Sequence, residues 1–421
     1  MTELFRGPKG TYDVVAPFSE LWLAVKQALA QSAQLSGFDY IETPIFEDTN
    51  LFVRGVGQST DVVSKEMYTF EDRSGRSLSL RPEGTAGVLR AILENRLDKG
   101  PLPAKVWYTG PNFRYEQPQS GRYRQHTQVG AEAIGSSDPA LDAQMIWMAQ
   151  FGPRELLGLK QVRLLINSLG CLECRKPYRE LLKAFLANLD LDEPTRLRAE
   201  LNPLRVLDDK REQIQAQLAN VPLSKDHLCV DCAEHHEQVI RYLKLMDVQF
   251  EIAPKLVRGL DYYTRTTFEL VHGGLGSQSA IGGGGRYDGL VATLGGSDLP
   301  GIGYGLGVDR VCLAIEAEQI QIAGLHKRGC YLIPLSDSAK DVVVELAPKI
   351  SSRNIVCEFA LDGRSVKAAM KSADRSGSKL AVLIGEDELA AGQATVKDLD
   401  SGEQISIALE LLPDHLATAL N

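Results

Sequence analysis

The 421-residue sequence contains few cysteines and no long apolar segment. Seven cysteines are too few, and odd in number, for a disulfide framework. The longest apolar stretches, such as Leu380–Ile384, fall far short of the roughly 20 residues that a membrane-spanning helix needs. The amino terminus has no apolar segment followed by a small-residue cleavage site. We therefore expect a cytoplasmic protein without a membrane partner.

An excess of basic residues is also missing, since the formal net charge is −9. The surface as a whole should not attract nucleic acid, and any RNA or phosphate site must be a local basic patch. The sequence contains neither a P-loop nor a G-x-G-x-x-G motif opening a helix, so a bound nucleotide must be held in another way. The length alone indicates about two to three domains.

The residue pattern of the first part of the chain predicts a mixture of helices and antiparallel strands. Apolar spacing predicts a helix over 19–36 and another near 307–318, and Pro44 interrupts a strand-like segment over 40–52. Two alternating segments over 105–135, joined by a polar linker, predict a long-looped hairpin. Asp138 and Pro139 then supply the cap and first turn of a helix that runs to about Gln150.

Two further regions differ from this part in their residue pattern. Residues 171–250 are helical in pattern, rich in charge and bracketed by two C-x-x-C pairs, which predicts an inserted helical subdomain. Beyond a linker at 326–329, strands alternate with helices. The predicted order is strand 330–335, helix 338–350, strand 355–361, helix 364–376 and strand 380–384. This alternation predicts a separate α/β domain with a mainly parallel sheet.

The hairpin carries polar side chains at even-numbered positions, which share one face of a strand. They are Arg114, Glu116, Arg124, His126, Gln128 and Glu132. A core-facing surface would be apolar, so this face is either solvated or the floor of a site. The residues by themselves leave both interpretations open.

Three other segments could carry chemistry, and each has an ordinary structural explanation as well. Arg81–Thr85 presents a guanidinium, a carboxylate and a hydroxyl, or it is a loop with a helix cap at Thr85. In 258–264 two adjacent tyrosines should point to opposite sides of a strand, so one phenol is free for a ligand. Arg310 could lie on the surface, yet the glycines that precede it leave a flat strand against which a base could stack.

The four cysteines of the two pairs are Cys171, Cys174, Cys229 and Cys232, and they have the paired spacing of a Cys₄ zinc site. Unmetallated thiols and a redox pair remain alternatives. A catalytic metal is not expected, because four thiolates close the coordination shell. His235 and His236 could serve as alternative ligands, although exposed helix positions are expected for both.

These motifs resemble those of the class II aminoacyl-tRNA synthetases, and among them closely the histidyl-tRNA synthetases. The Pro44 segment, the hairpin from Phe113 onward and Gly301–Arg310 are similar to the three motifs of the class. The segments 256–263 and 284–290 resemble the two signature blocks of the histidine enzymes. The resemblance covers essentially the whole chain.

The resemblance implies an α+β fold with a catalytic core on a mainly antiparallel sheet over 1–326, a helical insertion over 168–250 and an anticodon-binding α/β domain over 328–421. It implies a histidine–tRNA ligase that activates L-histidine with ATP and Mg²⁺ and transfers it to tRNA(His). It also implies a homodimer. We further hypothesise that Arg364, Lys367 and Lys371 lie near the RNA on one helix face.

The resemblance also implies roles for individual residues. Arg114, Arg258 and Arg310 would be catalytic, and Arg114, Glu116 and Arg310 would bind ATP. The histidine-binding residues would be Glu83, Gly84, Thr85, Gln128, Glu132, Arg258, Tyr262 and Tyr263, with Glu132 and Tyr263 on the two imidazole nitrogens. Two alternatives remain open at this point: a regulatory subunit of ATP phosphoribosyltransferase, and a zinc-dependent RNA-binding module without activity.

Overall fold

The computed structural model describes residues 4–57, 60–322, 329–361 and 365–420. Residues 326–328 of the predicted linker and Arg364 lie outside these ranges. The chain divides into two units, Met1–Ile320 and Gln321–Asn421. Within the described residues, no helix has both the length and the apolar character that crossing a membrane requires.

The first unit is built on a large sheet. Its strands in the described residues are β1 (Asp39–Tyr40), β2 (Phe46–Asp48), β3 (Thr69–Glu71), β4 (Ser77–Leu80), β5 (Ala104–Phe113), β6 (Gln125–Ile134), β7 (Val162–Ser168), β8 (Glu251–Ile252), β9 (Thr264–His272), β10 (Ala280–Arg286) and β11 (Gly301–Gly307). Eight of them form one sheet in the order β1-β5-β6-β11-β10-β9-β7-β8, and β2-β4-β3 form a small sheet. The pairings are antiparallel except β1 with β5 and β7 with β8.

Helices cover this sheet and fill the insertion. They are α1 (Phe18–Leu35), α2 (Thr49–Val56), α3 (Thr85–Glu94), α4 (Pro139–Phe151), α5 (Leu172–Leu186), α6 (Glu193–Leu201), α7 (Glu212–Gln217), α8 (Val230–Leu245), α9 (Leu290–Thr293) and α10 (Val308–Glu318). Asp138 caps α4 by accepting a hydrogen bond from the Ala140 amide at 2.8 Å, as its sequence position predicts. Val308, Val311, Cys312 and Ile315 form the buried face of α10.

The segment 40–52 differs from the predicted strand. Its strands are short, and α2 begins at Thr49 because the Asp48 carboxylate accepts a hydrogen bond from the Asn50 amide at 2.8 Å. Phe52 and Val56, four residues apart, are both fully buried on one face of α2. The apolar spacing after Asp48 is therefore that of a helix.

The insertion shares a hydrophobic core with the segment that follows it. Tyr178 and Leu182 of α5 pack in one buried cluster with Leu207, Val257 and Tyr263. α8 packs against α4, where the His235 Nε2 atom lies 2.9 Å from the buried Asp142 carboxylate. The expectation of an exposed His235 is therefore wrong, because this face of α8 packs against α4.

The second unit contains a five-stranded sheet and its own core. The strands are β12 (Cys330–Pro334), β13 (Cys357–Phe359), β14 (Leu380–Ile384), β15 (Gln393–Asp398) and β16 (Gln404–Ala408), and the helices are α11 (Asp337–Ser351), α12 (Val366–Arg375), α13 (Glu386–Ala391) and α14 (Leu412–Leu420). The strand order is β13-β12-β14-β15-β16. β12 pairs in parallel with β13 and β14, whereas β15 pairs antiparallel with both β14 and β16. The sheet is mixed rather than mainly parallel, because β15 and β16 form a hairpin with Gly402 in its turn at φ +78°.

Candidate active site

The register of the large sheet places glycines together on one face. Gly303 and Gly305 of β11 lie opposite Gly285 and Gly283 of β10, and Gly303 lies opposite Glu132 of β6 on its other side. A Cβ atom on Gly303 would lie 1.6 Å from the Glu132 Oε2 atom, so glycine is required there. Glycine at these positions therefore leaves room on this face for the side chains of Glu132, Gln128, Arg258 and Tyr263.

Three arginines that are far apart in the sequence line one cavity of about 430 Å³ on this face of the sheet. Arg114 follows β5, Arg258 precedes β9, and Arg310 lies in the first turn of α10. The cavity is also lined by Glu116, Gln128, Tyr263 and Glu269. The structure thus brings the three guanidinium groups together. The polar, even-numbered face of the hairpin forms part of this concave site, so it is not simply a solvated surface.

Each of these arginines is anchored by protein acceptors. The Nε atom of Arg114 donates to the Pro82 carbonyl at 2.8 Å, and Arg310 donates to the carbonyls of Gly121 and Ala280 at 2.7 and 2.6 Å. Arg258 donates to the Glu269 carboxylate at 2.6 Å. Burial lowers the pKa of Arg258, but neighbouring Tyr263 and Glu269 raise it more, so the group stays cationic.

His126 lies beside two of these cations. Burial lowers its pKa to about 3, and the positive charges of Arg114 and Arg310 act in the same direction. The imidazole is therefore neutral at physiological pH. It can donate or accept a hydrogen bond but adds no charge to the cavity.

Glu132 of β6 is a buried carboxylate close to Tyr263, which lines the cavity. Glu132 is 1% exposed, and its oxygens accept hydrogen bonds from the hydroxyls of Tyr287 at 2.5 Å, Thr85 at 2.8 Å and Tyr108 at 3.1 Å. Burial raises the pKa of Glu132 to about 8, even though these hydroxyls favour the ionised form. An ionised carboxylate in such buried surroundings favours a partner that offers an N–H donor.

The loop before α3 provides a second buried carboxylate. Glu83 accepts hydrogen bonds from the amides of Thr85 at 2.7 Å and Ala86 at 2.8 Å, so its carboxylate caps the helix. The helix cap predicted at Thr85 is instead supplied by Glu83, while the Thr85 hydroxyl bonds Glu132. Burial raises the pKa of Glu83. A Cβ atom on Gly84 would lie 2.2 Å from the Tyr108 ring, which explains the glycine.

The adjacent residues Tyr262 and Tyr263 lie side by side rather than on opposite faces of a strand. Their ring centroids are 4.7 Å apart, and both pack with the core of the insertion. The strand-based expectation is wrong here, because β9 begins at Thr264, after both tyrosines. Tyr263 lines the cavity, and the Arg258 guanidinium lies 5.9 Å from the centre of its ring.

The sequence interpretation did not single out Tyr108 and Tyr287 as site residues. Tyr108 of β5 lies opposite Gly130 of β6, and Val106, two residues earlier on β5, lies opposite Glu132. Because residues two apart on a strand share a face, strand alternation could have placed Tyr108 beside Glu132. Tyr287 follows the buried pair of Arg286 with Asp142, which fixes the end of β10. Arg122 and Arg205 also line the cavity.

The four cysteines of the two C-x-x-C pairs come together at the base of the insertion. Their Sγ atoms all lie within 4.8 Å of one another, and those of Cys171 and Cys174 are 3.5 Å apart. Cys171 and Cys229 each occupy the position before the first residue of a helix, α5 and α8 respectively. The separation of 54 residues in the sequence is therefore bridged by the fold.

The fold and the site together define the class of the protein. A mainly antiparallel sheet, an arginine on its central hairpin, a second arginine on the helix after a glycine-rich strand, and a separate α/β unit are the features of a class II aminoacyl-tRNA synthetase. The family model described as histidyl-tRNA synthetase matches residues 10–311, and the model described as anticodon binding domain matches residues 329–418.

Relatives and solved structures agree with these matches. The chain is 55% identical to the histidine–tRNA ligase of Saccharopolyspora erythraea over 96% of both chains, and 53% identical to that of Mycobacterium marinum over the full length of both. A crystal structure of apo Staphylococcus aureus histidyl-tRNA synthetase superposes with a TM-score of 0.82 at 33% identity, covering 98% of this chain and all of that one. The chain belongs to the histidyl-tRNA synthetase family. The fold class, the family and the histidine–tRNA ligase activity predicted from the sequence are thereby confirmed.

Proposed function

We propose that the arginine-lined cavity catalyses ATP-dependent activation of L-histidine and then transfer of the histidyl group to the 3′ end of tRNA(His). The observation that supports this proposal is the convergence of Arg114, Arg258 and Arg310 on one cavity that Tyr263 also lines, with the buried Glu132 close to Tyr263. Cations suit a triphosphate, and a buried carboxylate suits an imidazole N–H.

In the first step, a carboxylate oxygen of histidine bonds to the α-phosphorus of ATP, and the bond from that phosphorus to the bridging oxygen breaks, releasing pyrophosphate. Charge develops on the phosphoryl oxygens, and fixed cations stabilise it. Arg114 holds the α-phosphate, Arg310 the distal phosphates, and Arg258 both phosphate and substrate carboxylate. The Nε atom of Arg258 is buried without a partner among the described residues, which leaves a donor for this purpose.

Histidine is recognised at both ends. Glu132 and Tyr263 bind the two imidazole nitrogens, while Glu83, Thr85 and Gln128 surround the α-amino group. Gly84, between Glu83 and Thr85, leaves room for the Tyr108 ring, and Tyr262 supports the pocket wall. A site that pairs both ring nitrogens leaves buried polar groups unpaired when another amino acid enters, and such sites discriminate by about 10⁴ to 10⁵ without editing.

The carboxylates of the cavity fit Mg²⁺, which prefers oxygen ligands. Glu116 and Glu269 both line it and would hold the ion together with the phosphates. Bound Mg²⁺ neutralises part of the charge of the triphosphate and of the departing pyrophosphate. Glu116 is paired with Arg122 and Glu269 with Arg258, so both carboxylates are already oriented by the protein.

In the second step, the terminal ribose hydroxyl of the tRNA attacks the histidyl carbonyl carbon, and AMP leaves. We assign residues 1–326 to the catalytic core, with its insertion over 168–250, and residues 328–421 to the anticodon-binding domain. We also infer a homodimer that buries the segment around Pro44, where Tyr40, Ile45 and Phe46 are exposed. Sedimentation analysis tests this inference, and a monomer at micromolar concentration would contradict it.

Histidine-dependent exchange of pyrophosphate into ATP tests the activation step directly. We expect exchange that requires both Mg²⁺ and histidine and that Arg114→Ala and Arg310→Ala greatly reduce. The exposed Arg163 on β7 is paired with Glu251 and is not among the residues that line the cavity, so Arg163→Ala offers a matched control. Exchange that is equally fast without histidine would refute the proposal.

We also propose that the four-cysteine cluster binds one structural zinc ion. Sulfur ligands around tetrahedral zinc, with bonds of about 2.3 Å, lie about 3.8 Å apart. The four Sγ atoms lie within 4.8 Å of one another, and those of Cys171 and Cys174 are 3.5 Å apart, so small side-chain adjustments would let one ion bind all four. Four thiolates leave no open position, so the ion would have no part in the chemistry. Metal analysis after purification without chelators should give one zinc per chain. Four titratable thiols without zinc would contradict the proposal.

A further inference from the structure

The four-cysteine cluster lies directly behind the segment that carries Tyr263. Gly170, which precedes Cys171, accepts a hydrogen bond from the Arg265 amide at 2.8 Å, and Leu169 donates to the Arg265 carbonyl at 2.7 Å. Gly170 has a φ of +68°, and a Cβ atom there would lie 2.7 Å from the Cβ atom of Cys174. The cluster is therefore packed against the backbone that begins β9.

A side chain of α5 makes the connection to the histidine pocket. Arg175 follows Cys174 immediately, and its Nη1 atom donates to the Tyr263 carbonyl at 2.6 Å. Tyr263 also packs in the buried cluster that includes Tyr178 and Leu182 of the same helix. The position of Tyr263 thus depends on where the first turn of α5 is held.

The cluster is suited to hold that turn in place. The Cys229 amide donates to the Cys174 Sγ atom at 3.1 Å, so the starts of α5 and α8 already meet. A metal bound by all four sulfurs would cross-link these two helix starts. Without the metal, this contact consists of weak hydrogen bonds to sulfur.

We propose that zinc bound at Cys171, Cys174, Cys229 and Cys232 sets the position of Tyr263 through Arg175, and so determines the affinity for histidine. This inference rests on the proposed ligase function. Arg175 acts here as a positioning residue, since it touches the backbone of Tyr263 and neither substrate. Arg114 and Arg310, which we assign to ATP, donate instead to the carbonyls of Pro82, Gly121 and Ala280.

The test compares KM values in the pyrophosphate exchange assay. Removing zinc from the wild-type protein with a chelator should raise the KM for histidine about tenfold, the loss expected for one charge-assisted hydrogen bond. The KM for ATP should stay within about twofold. Adding Zn²⁺ should restore the original value, and replacing it with Co²⁺ should give the absorption of a tetrahedral thiolate site.

Variants of α5 distinguish the effect of the metal from that of the hydrogen bond between Arg175 and Tyr263. Arg175→Ala should retain its zinc, show the same rise in the KM for histidine and respond no further to metal removal. Arg175→Lys, which retains a cationic donor, should recover part of the affinity. Lys176→Ala is the control, because this neighbouring side chain is exposed and pairs only with Glu173 among the described residues.

The outcomes distinguish the two proposals. Zinc that can be removed without changing the KM for histidine would overturn the coupling while leaving the ligase function intact, and absence of zinc would do the same. Equal increases in both KM values would indicate general loosening and would also overturn it. Absence of histidine-dependent exchange in the zinc-loaded wild type would instead refute the proposed function. Should Arg175→Ala fail to fold, metal removal from the wild type still decides the matter.

Discussion

Replacing Glu132 by glutamine should weaken histidine binding specifically. Gln has the shape of Glu, so Glu132→Gln preserves packing in a site that is 1% exposed. The variant loses the charged acceptor that we assign to the imidazole N–H. It also brings an amide NH₂ group toward hydroxyls that now donate to the carboxylate.

The magnitude follows from the hydrogen bond that is lost. A hydrogen bond to a charged partner contributes about 1.5–3 kcal/mol, which corresponds to about 10- to 150-fold in the KM for histidine. The KM for ATP should change little, because the arginines that bind it are anchored to other acceptors. Glu132→Ala should show a larger effect, since it also leaves three hydroxyls without their acceptor.

Pyrophosphate exchange at varied histidine and ATP provides the measurement, and thermal unfolding provides a control for folding. Burial raises the pKa of Glu132, so in the empty protein the ionised carboxylate is unfavourable and the neutral glutamine should not lower stability at pH 8. Glu94→Gln, an exposed carboxylate on α3 paired with Arg90, should leave both KM values unchanged. An equal loss for histidine and ATP would remove Glu132 from the specificity role.

Three further predictions concern the same site. The KM for histidine should rise as pH falls below about 8, because burial holds the pKa of Glu132 near that value and binding requires the ionised form; a pH profile with the same slope in Glu132→Gln would contradict this. Gly303→Ala should abolish histidine binding or folding, since its Cβ atom would lie 1.6 Å from Glu132. The control is Gly377→Ala, because nothing lies within 4 Å of the Cβ position there; thermal unfolding should show at most the mild strain of a positive φ. His126→Asn should leave the pH profile between 5 and 8 unchanged, because burial and two arginines lower the pKa of His126 to about 3; loss of an ionisation in that range would count against a neutral imidazole.

Much of the local structure could be predicted from residue patterns alone. The hairpin of β5 and β6, the cap of α4 at Asp138 and the buried face of α10 all follow from strand alternation, capping preference and helical spacing. These features depend on neighbouring residues, which the sequence lists in order. The predictions of a mainly parallel sheet in the second unit and of a strand after Asp48 were wrong, because segments as short as these carry a weak periodic signal.

The sequence by itself determined which groups are available: three arginines, a carboxylate at an even position of β6, adjacent tyrosines and two cysteine pairs. Their motifs also determined the family. Only the tertiary structure decided that the arginines line one cavity, that Tyr108 and Tyr287 reach Glu132, and that the cysteine cluster is linked through Arg175 to Tyr263. The physical reason is that such contacts join residues up to about 200 positions apart, whose meeting depends on sheet register and helix packing rather than on local preference.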